Sequence, residues 1–211
     1  EDGRVLLMGE EIGAYGGAYA VTRGFLEEFG AVRIRDTPIA ESVIVGSGIG
    51  AALGGLRPVV EIMTISFSLL AMDQIVNEAA KLSYLSNGQF SVPLVIRTVT
   101  GGGGQLGATH SQSLEGWYAS VPGLKVAAPS NPYDALGLLR SAVKDANPVI
   151  FAEHALLYGT RGDVPDERYE IPFGQASVVR PGSDVTIVAY SKMVSVALQA
   201  AELLASRGRE A

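Results

Sequence analysis

Cysteine is absent from this 211-residue chain, which excludes both a disulfide framework and a thiolate metal site and leaves the redox compartment unread. Only two histidines occur, His110 and His154, and they lie far apart in sequence. Positive charge is also scarce: 16 basic residues face 22 acidic ones, for a net charge of −6. With no basic stripe to neutralise phosphates, nucleic acid is excluded as the expected partner. No apolar run approaches the roughly 20 residues of a membrane span, and no secretory leader opens the sequence, so a soluble, cytoplasmic protein is expected. What is present is 47% hydrophobic residues and 26 glycines, the composition of a compact, small-residue-rich globular chain. Its length suits one domain plus part of a second.

Short apolar runs alternate with helical stretches. Val5 to Met8, Val32 to Arg35, Val59 to Met63, Val92 to Val99, Leu124 to Ala128 and Val149 to Ala152 read as strands. Thr22 to Phe29, Ser42 to Leu56, Phe67 to Leu85, Ser113 to Ala119 and Pro132 to Lys144 read as helices. Most of these strands are apolar throughout, so both faces of the sheet must be covered. The expected fold is α/β, a doubly wound, mainly parallel sheet. The polar, turn-rich stretch from Tyr158 to Tyr169 reads as a linker. Residues 1–160 are therefore expected to form one domain, 161–173 a linker, and 174–211 the beginning of an incomplete second α/β domain. That last part carries a predicted strand, Val185 to Tyr190, and helix, Met193 to Ser206, which cannot bury their apolar faces alone. A fragment, or a chain completed by a partner, is the expectation.

Ser42 to Leu53 imitates a dinucleotide fingerprint, with Gly46, Gly48 and Ala51 in a GxGxxA pattern. A crossover helix beginning after Gly50 would meet Gly54 and Gly55 within about one turn, and the next strand begins just after Pro58. Such a helix is too short to cross a sheet. Read as one helix from about Ser42 to Leu56, the small residues form a face that lets another backbone approach closely. The fingerprint's acid is also misplaced, since Glu61 follows Gly46 too soon.

Five segments carry a family resemblance: GEEIGAYGGAYAVTRG (9–24), DTPIAE (36–41), GLRPVVEIMTISFSLLAMDQIVNEAAK (55–81), THSQSLEGWYASVPGLKVAAPSNPYDA (109–135) and KDANPVIFAEHALLYG (144–159). In this order they resemble the β subunits of 2-oxo acid dehydrogenase E1 components, the pyruvate, branched-chain 2-oxo acid and acetoin dehydrogenases, whose first domain is of the transketolase-like pyrimidine-binding type. The resemblance implies an α2β2 heterotetramer with thiamine diphosphate between an α and a β subunit, and acyl transfer to the lipoyl domain of an E2 component. Pyruvate is the favoured substrate. A eukaryotic source would place the protein in the mitochondrial matrix.

The resemblance makes Glu41 the activating residue, hydrogen-bonding the cofactor's pyrimidine ring and favouring the imino tautomer that removes the thiazolium C2 proton. Beside Ile39, Val43 and Ile44 its carboxyl is expected to be poorly solvated, which suits a protonated donor. Taken alone, Glu41 reads as a helix-start acid favoured by the helix dipole. Phe67 resembles the aromatic on which the pyrimidine stacks, with Ile39 lining the same pocket. Leu70 departs from relatives that carry glutamine there. His110 follows the glycine-rich loop 101–107, and the resemblance turns it to the substrate side of the cofactor, where it binds or protonates intermediates. Glu10 matches a glutamate of an acidic channel linking two active sites. His154 reads as structural.

Asp145 and Asn147 read as a helix-ending turn. The resemblance adds a structural potassium ion there, held by backbone oxygens of Leu94, Ala142, Val143 and Asp145 and by the Asn147 side chain. Thiamine enzymes hold Mg²⁺ and the diphosphate through a GDG motif, whereas the only GD here, Gly162 to Asp163, is followed by valine. The diphosphate end is therefore assigned to the α subunit. Two other classes stay open on the sequence, a dinucleotide-binding domain and a non-catalytic assembly module, the latter disfavoured by the joint presence of Glu41, Phe67 and His110.

Overall fold

The computed structural model describes residues 2–211. Six strands, β1 (Val5–Gly9), β2 (Ile34–Asp36), β3 (Arg57–Ile62), β4 (Val95–Thr100), β5 (Lys125–Ala127) and β6 (Val149–His154), form one sheet in the order β2-β1-β3-β4-β6-β5. Helices fill the connections, among them the short α1 (Phe25–Phe29) and α4 (Glu115–Ala119). Every pairing is parallel, with Met8 opposite Val60, Val60 opposite Ile96 and Ile96 opposite Ile150. The doubly wound parallel sheet expected from the apolar strands is the fold.

Alternation along the strands divides the core in two. Met8, Val60, Ile62, Ile96 and Ile150 face one side and pack with α2 (Glu41–Leu53) and with the Ile65–Ala79 segment. Val59, Val95, Val149 and Phe151 face the other side and pack against α5 (Pro132–Lys144). Helix α5 begins where Asn131 accepts the Asp134 amide at 2.8 Å and Pro132 takes the first turn, where a missing N–H costs nothing. Helix α2 runs unbroken through Gly46, Gly48 and Gly50, which removes the strand and turn that a dinucleotide fingerprint requires.

Two predicted elements come out differently. The expected helix from Phe67 to Leu85 is broken into a 3-10 helix at Ile65–Ala71, a π-helix at Gln74–Ala79 and a short α3 at Leu82–Leu85. Its first turns are tied sideways: the Ser68 hydroxyl lies 2.5 Å from the Ile65 carbonyl and 2.5 Å from the buried Tyr118 hydroxyl. Residues 185–190 form no strand, because no neighbouring strand among the described residues supplies backbone partners; Val188 is 92% exposed. The expected helix beside it forms as α6 (Met193–Ala205).

The linker is not wholly free. Its end lies along α5, where the Ile171 amide donates to the Gly137 carbonyl at 3.2 Å, the Ser141 hydroxyl donates to the Ile171 carbonyl at 2.6 Å, and Tyr169 stacks on Tyr133. No helix among the described residues is long and apolar enough to cross a membrane.

Candidate functional site

In a parallel sheet all strands end at one edge, and a ligand crevice opens where the strand order reverses. Here β2 lies on one side of β1 and β3 on the other, so the reversal falls between β1 and β3. Glu10 directly follows β1, and Glu41 opens the helix after β2. Phe67 lies in the 3-10 helix after β3, and His110 ends a 3-10 turn, Ala108–His110, after β4. Four chemistry-bearing residues thus converge on one edge from four different strands.

Glu41 is 8% exposed, and its carboxylate accepts no hydrogen bond from any described residue. Its oxygens are absent from the fully inaccessible atoms that lack a partner, so a small residual opening at the strand ends leaves them free to meet a ligand or water. The apolar neighbours do not enclose it as the sequence suggested, since Ile39 is 72% exposed and Val43 also faces outward; only Ile44 is buried. Burial comes instead from packing of α2 against the 3-10 helix and the sheet. Glu10 sits close enough to feel Glu41: burial, then the charges of Glu11 and Glu41, push its carboxyl above the usual value.

Phe67 is half-buried and meets the His110 ring edge to face, with centroids 5.0 Å apart and planes at 86°. His110 itself is exposed, with Thr109 Oγ1 3.0 Å from its Nδ1. Ile39, Leu70 and Leu106, on the segments that carry Glu41, Phe67 and His110, are exposed and form an apolar rim. His154 behaves as a structural residue, its Nδ1 accepting the Leu156 amide at 3.2 Å and its ring lying over Gly101. Burial, reinforced by Lys192 against the opposing pull of Glu115, holds its pKa below the ordinary value.

The five residues nominated for potassium lie at the opposite, amino edge. Val143 and Asp145 carbonyls accept from one Arg57 guanidinium nitrogen at 2.7 and 3.1 Å. The Leu94 carbonyl accepts from the Val149 amide and the Ala142 carbonyl from the Asp145 amide. Asn147 donates to Asp145 Oδ1 through its amide and its side chain, both at 2.9 Å. Burial raises the Asp145 carboxyl, but the Lys125 ammonium and the two Asn147 donors outweigh it and hold the carboxyl below the ordinary value. The Ala142, Val143 and Asp145 oxygens lie at the negative end of the α5 dipole, and each carbonyl bound by Arg57 keeps a second lone pair.

One constellation escaped the sequence reading. Arg97 of β4, buried on both faces, pairs with Glu61 of β3 and Glu153 of β6, and its guanidinium lies 3.0 Å from the Tyr158 hydroxyl. Tyr158 donates to Glu153 at 2.6 Å and packs its ring on Tyr19, in the loop that follows Glu10. Burial and Glu153 raise Glu61 against the opposing charge of Arg97. An arginine inside the apolar run Val95 to Val99 was the available signal, because a charge in a strand covered on both faces needs a buried partner.

The sequence pattern of the family described as transketolase, pyrimidine binding domain, matches residues 1–160. The chain belongs to that family. Residues 174–211 match the transketolase, C-terminal domain. The chain is 51% identical over 211 residues to the pyruvate dehydrogenase E1 component subunit beta-1, mitochondrial, of Arabidopsis thaliana, covering 98% of this chain and 58% of that protein. It is 52% identical to the pyruvate dehydrogenase E1 component subunit beta of Chaetosphaeridium globosum, covering 98% of this chain and 64% of the relative. A chloroplastic beta-4 subunit of Oryza sativa subsp. japonica is 50% identical, covering 99% of this chain and 52% of its own length. The chain thus spans between 52% and 64% of the length of these relatives. Among solved structures, a chain described as split gene transketolase, inactive beta4 tetramer, superposes with a TM-score of 0.79 at 20% identity, covering 99% of this chain and 63% of its own, which supports the fold.

Proposed function

We propose that this chain is the pyrimidine-binding part of a β-type subunit of a thiamine diphosphate-dependent 2-oxo acid dehydrogenase E1 component, with pyruvate as substrate. The observation that carries the reading is Glu41: a buried carboxylate with no donor, at the reversal of strand order, with Phe67 and His110 on the adjoining strand end. A flat heteroaromatic ring with a basic nitrogen fits that arrangement. When bound, thiamine diphosphate supplies the electron sink for decarboxylation of a 2-oxo acid.

This chain's residues hold and prepare the ring. The Glu41 carboxyl bonds the pyrimidine nitrogen and exchanges a proton with it. Phe67 and Ile39 contribute the apolar wall, and His110, exposed beside Phe67, serves the substrate side. Glu10, the second carboxyl within electrostatic reach of Glu41, belongs to an acidic channel linking two active sites. The diphosphate and Mg²⁺ belong to an α-type chain docking on the exposed apolar rim, in an α2β2 assembly that hands the acyl group to the lipoyl domain of an E2 component. Potassium belongs at the turn that follows α5. The linker and domain limits, 1–160, 161–173 and 174–211, are part of the same reading. The mitochondrial and chloroplastic names of several relatives favour an organelle interior for a eukaryotic source over plain cytoplasm.

The test is Glu41→Gln in the full-length protein assembled with its α-type partner. The amide is nearly isosteric and reaches the same ring nitrogen, but it cannot pass the proton, so kcat should fall with little change in KM. Exchange of the cofactor C2 proton should slow in parallel. Full activity per folded molecule would reduce Glu41 to a helix-start acid and overturn the reading.

A further inference from the structure

The DTPIAE segment (36–41) holds Glu41 at one end, and at the other end Asp36 makes two bonds that no catalytic role explains. Asp36 Oδ1 accepts the Gly13 amide at 2.6 Å and Oδ2 accepts the Ala14 amide at 3.1 Å. The next residue continues the contact, since the Thr37 amide donates to the Gly9 carbonyl at 3.0 Å, directly before Glu10. Gly9 and Asp36 are also partners in the β1–β2 register. The loop is built to accept this grip: a β-carbon on Gly13 would come within 2.9 Å of Asp36 Oδ2. Glu11 takes a left-handed backbone conformation, with φ of 54°, that a non-glycine residue adopts only when its surroundings impose it. Its carbonyl accepts the Gly17 amide at 2.9 Å, and the buried Thr22 hydroxyl donates to the Ile12 carbonyl at 2.6 Å.

We propose that Asp36 is a positioning residue that fixes the Glu10 loop on the segment carrying Glu41, and so sets the geometry between the two carboxylates. A carboxylate accepts two parallel N–H bonds with both oxygens, as a fixed fork. An asparagine offers one acceptor and turns its own N–H₂ against the other amide, so Asp36→Asn removes the fork while preserving size. The inference rests on the proposed role of Glu41, and the experiment separates the two.

In the full-length protein assembled with its α-type partner, hydrogen exchange of peptides covering residues 10–24 is compared between wild type and Asp36→Asn. Protection of two amides, those of Gly13 and Ala14, should be lost in the variant, while amides of α5 remain unchanged. Because catalytic groups displaced by about an ångström lose large factors in rate, kcat should fall about ten- to hundredfold with the cofactor KM held within about twofold. Gly13→Ala, which presses on the same carboxylate from the loop side, should reproduce both effects, and serves if Asp36→Asn fails to assemble. Unchanged exchange would overturn the grip, and faster exchange with unchanged kcat would overturn the positioning role. Activity retained in Glu41→Gln would instead overturn the proposed function, while the exchange comparison would still decide whether Asp36 holds the loop.

Discussion

Gly48 of α2 lies so close to Val60 of β3 that a β-carbon there would come within 2.7 Å of Val60 Cγ1 and 2.9 Å of Leu94 Cδ1. The helix that begins at Glu41 is therefore seated by the absence of a side chain one turn and more along it. Alanine is the better helix former by about 1 kcal/mol, but overpacking a full core costs about 1 to 3 kcal/mol, and Val60 and Leu94 are wholly buried. Gly48→Ala should therefore lower stability in urea melts and shift α2. Gly50→Ala, with nothing within 4 Å of the added carbon, should raise stability by up to about 1 kcal/mol. Equal effects at the two positions would show that propensity alone governs this helix.

The Arg97 cluster makes a larger demand. Removing the guanidinium leaves the Glu61 and Glu153 carboxylates buried beside each other, and breaking a buried pair in this way costs about 3 to 5 kcal/mol. Arg97→Met should show that loss in denaturant unfolding, and adding Glu61→Met and Glu153→Met should recover most of it. Arg97→Lys should not rescue, because a single ammonium cannot serve both carboxylates and the Tyr158 hydroxyl with a planar fork. A loss under about 1 kcal/mol for Arg97→Met would mean that water reaches the pair.

Much of this architecture was legible in the residues. Apolar strands such as Val149 to Ala152 announce a sheet covered on both faces, and the Pro132 start and Asp145 turn bracket α5 to the residue. Glu41 and Phe67 were legible as candidates through family motifs, and no periodicity singles them out. What stayed hidden depends on contacts between distant positions. Asp36 reads locally as the end of a strand, and only the folded loop brings the Gly13 and Ala14 amides to it. The broken helix after Ile65 depends on the Tyr118 hydroxyl, fifty residues further along the chain from Ser68. Residues 185–190 have the composition of a strand, but beyond the Val185 amide bond to the Glu210 carbonyl no neighbouring strand among the described residues pairs with them, so propensity went unrealised.

Glu10 sets a pH dependence whose sign is fixed. Its native carboxyl titrates above the ordinary value of 4.5, through burial first and then the charges of Glu11 and Glu41. The folded chain therefore binds this proton more tightly than the unfolded chain, and Glu10 weakens the fold as pH rises from the ordinary value through the raised native one. Glu10→Gln should be more stable than wild type above that window, and the difference should vanish below it. Chemical denaturation across the acidic range measures it. Glu10→Gln less stable than wild type above that window would place Glu10 in a favourable ion pair and reverse the assignment.

The turn after α5 distinguishes a bound ion from a built-in one. Val143 and Asp145 carbonyls already accept from Arg57, so a positively charged group sits where the family resemblance places potassium. If the second lone pairs of these oxygens hold the ion as well, potassium should stabilise the full-length protein beyond sodium at equal ionic strength. At ten times its dissociation constant the gain is about 1.4 kcal/mol, which for a domain of this size raises Tm by about 3 to 6 °C. Arg57→Met removes the competing cation from the same two carbonyls, so it should lower Tm in sodium and enlarge the potassium increment. Curves that coincide in wild type but separate in Arg57→Met would assign the cation's role to the guanidinium. Curves that coincide in both would remove potassium from this turn, leaving Lys125, Arg57 and the Asn147 donors to neutralise and cap the end of α5.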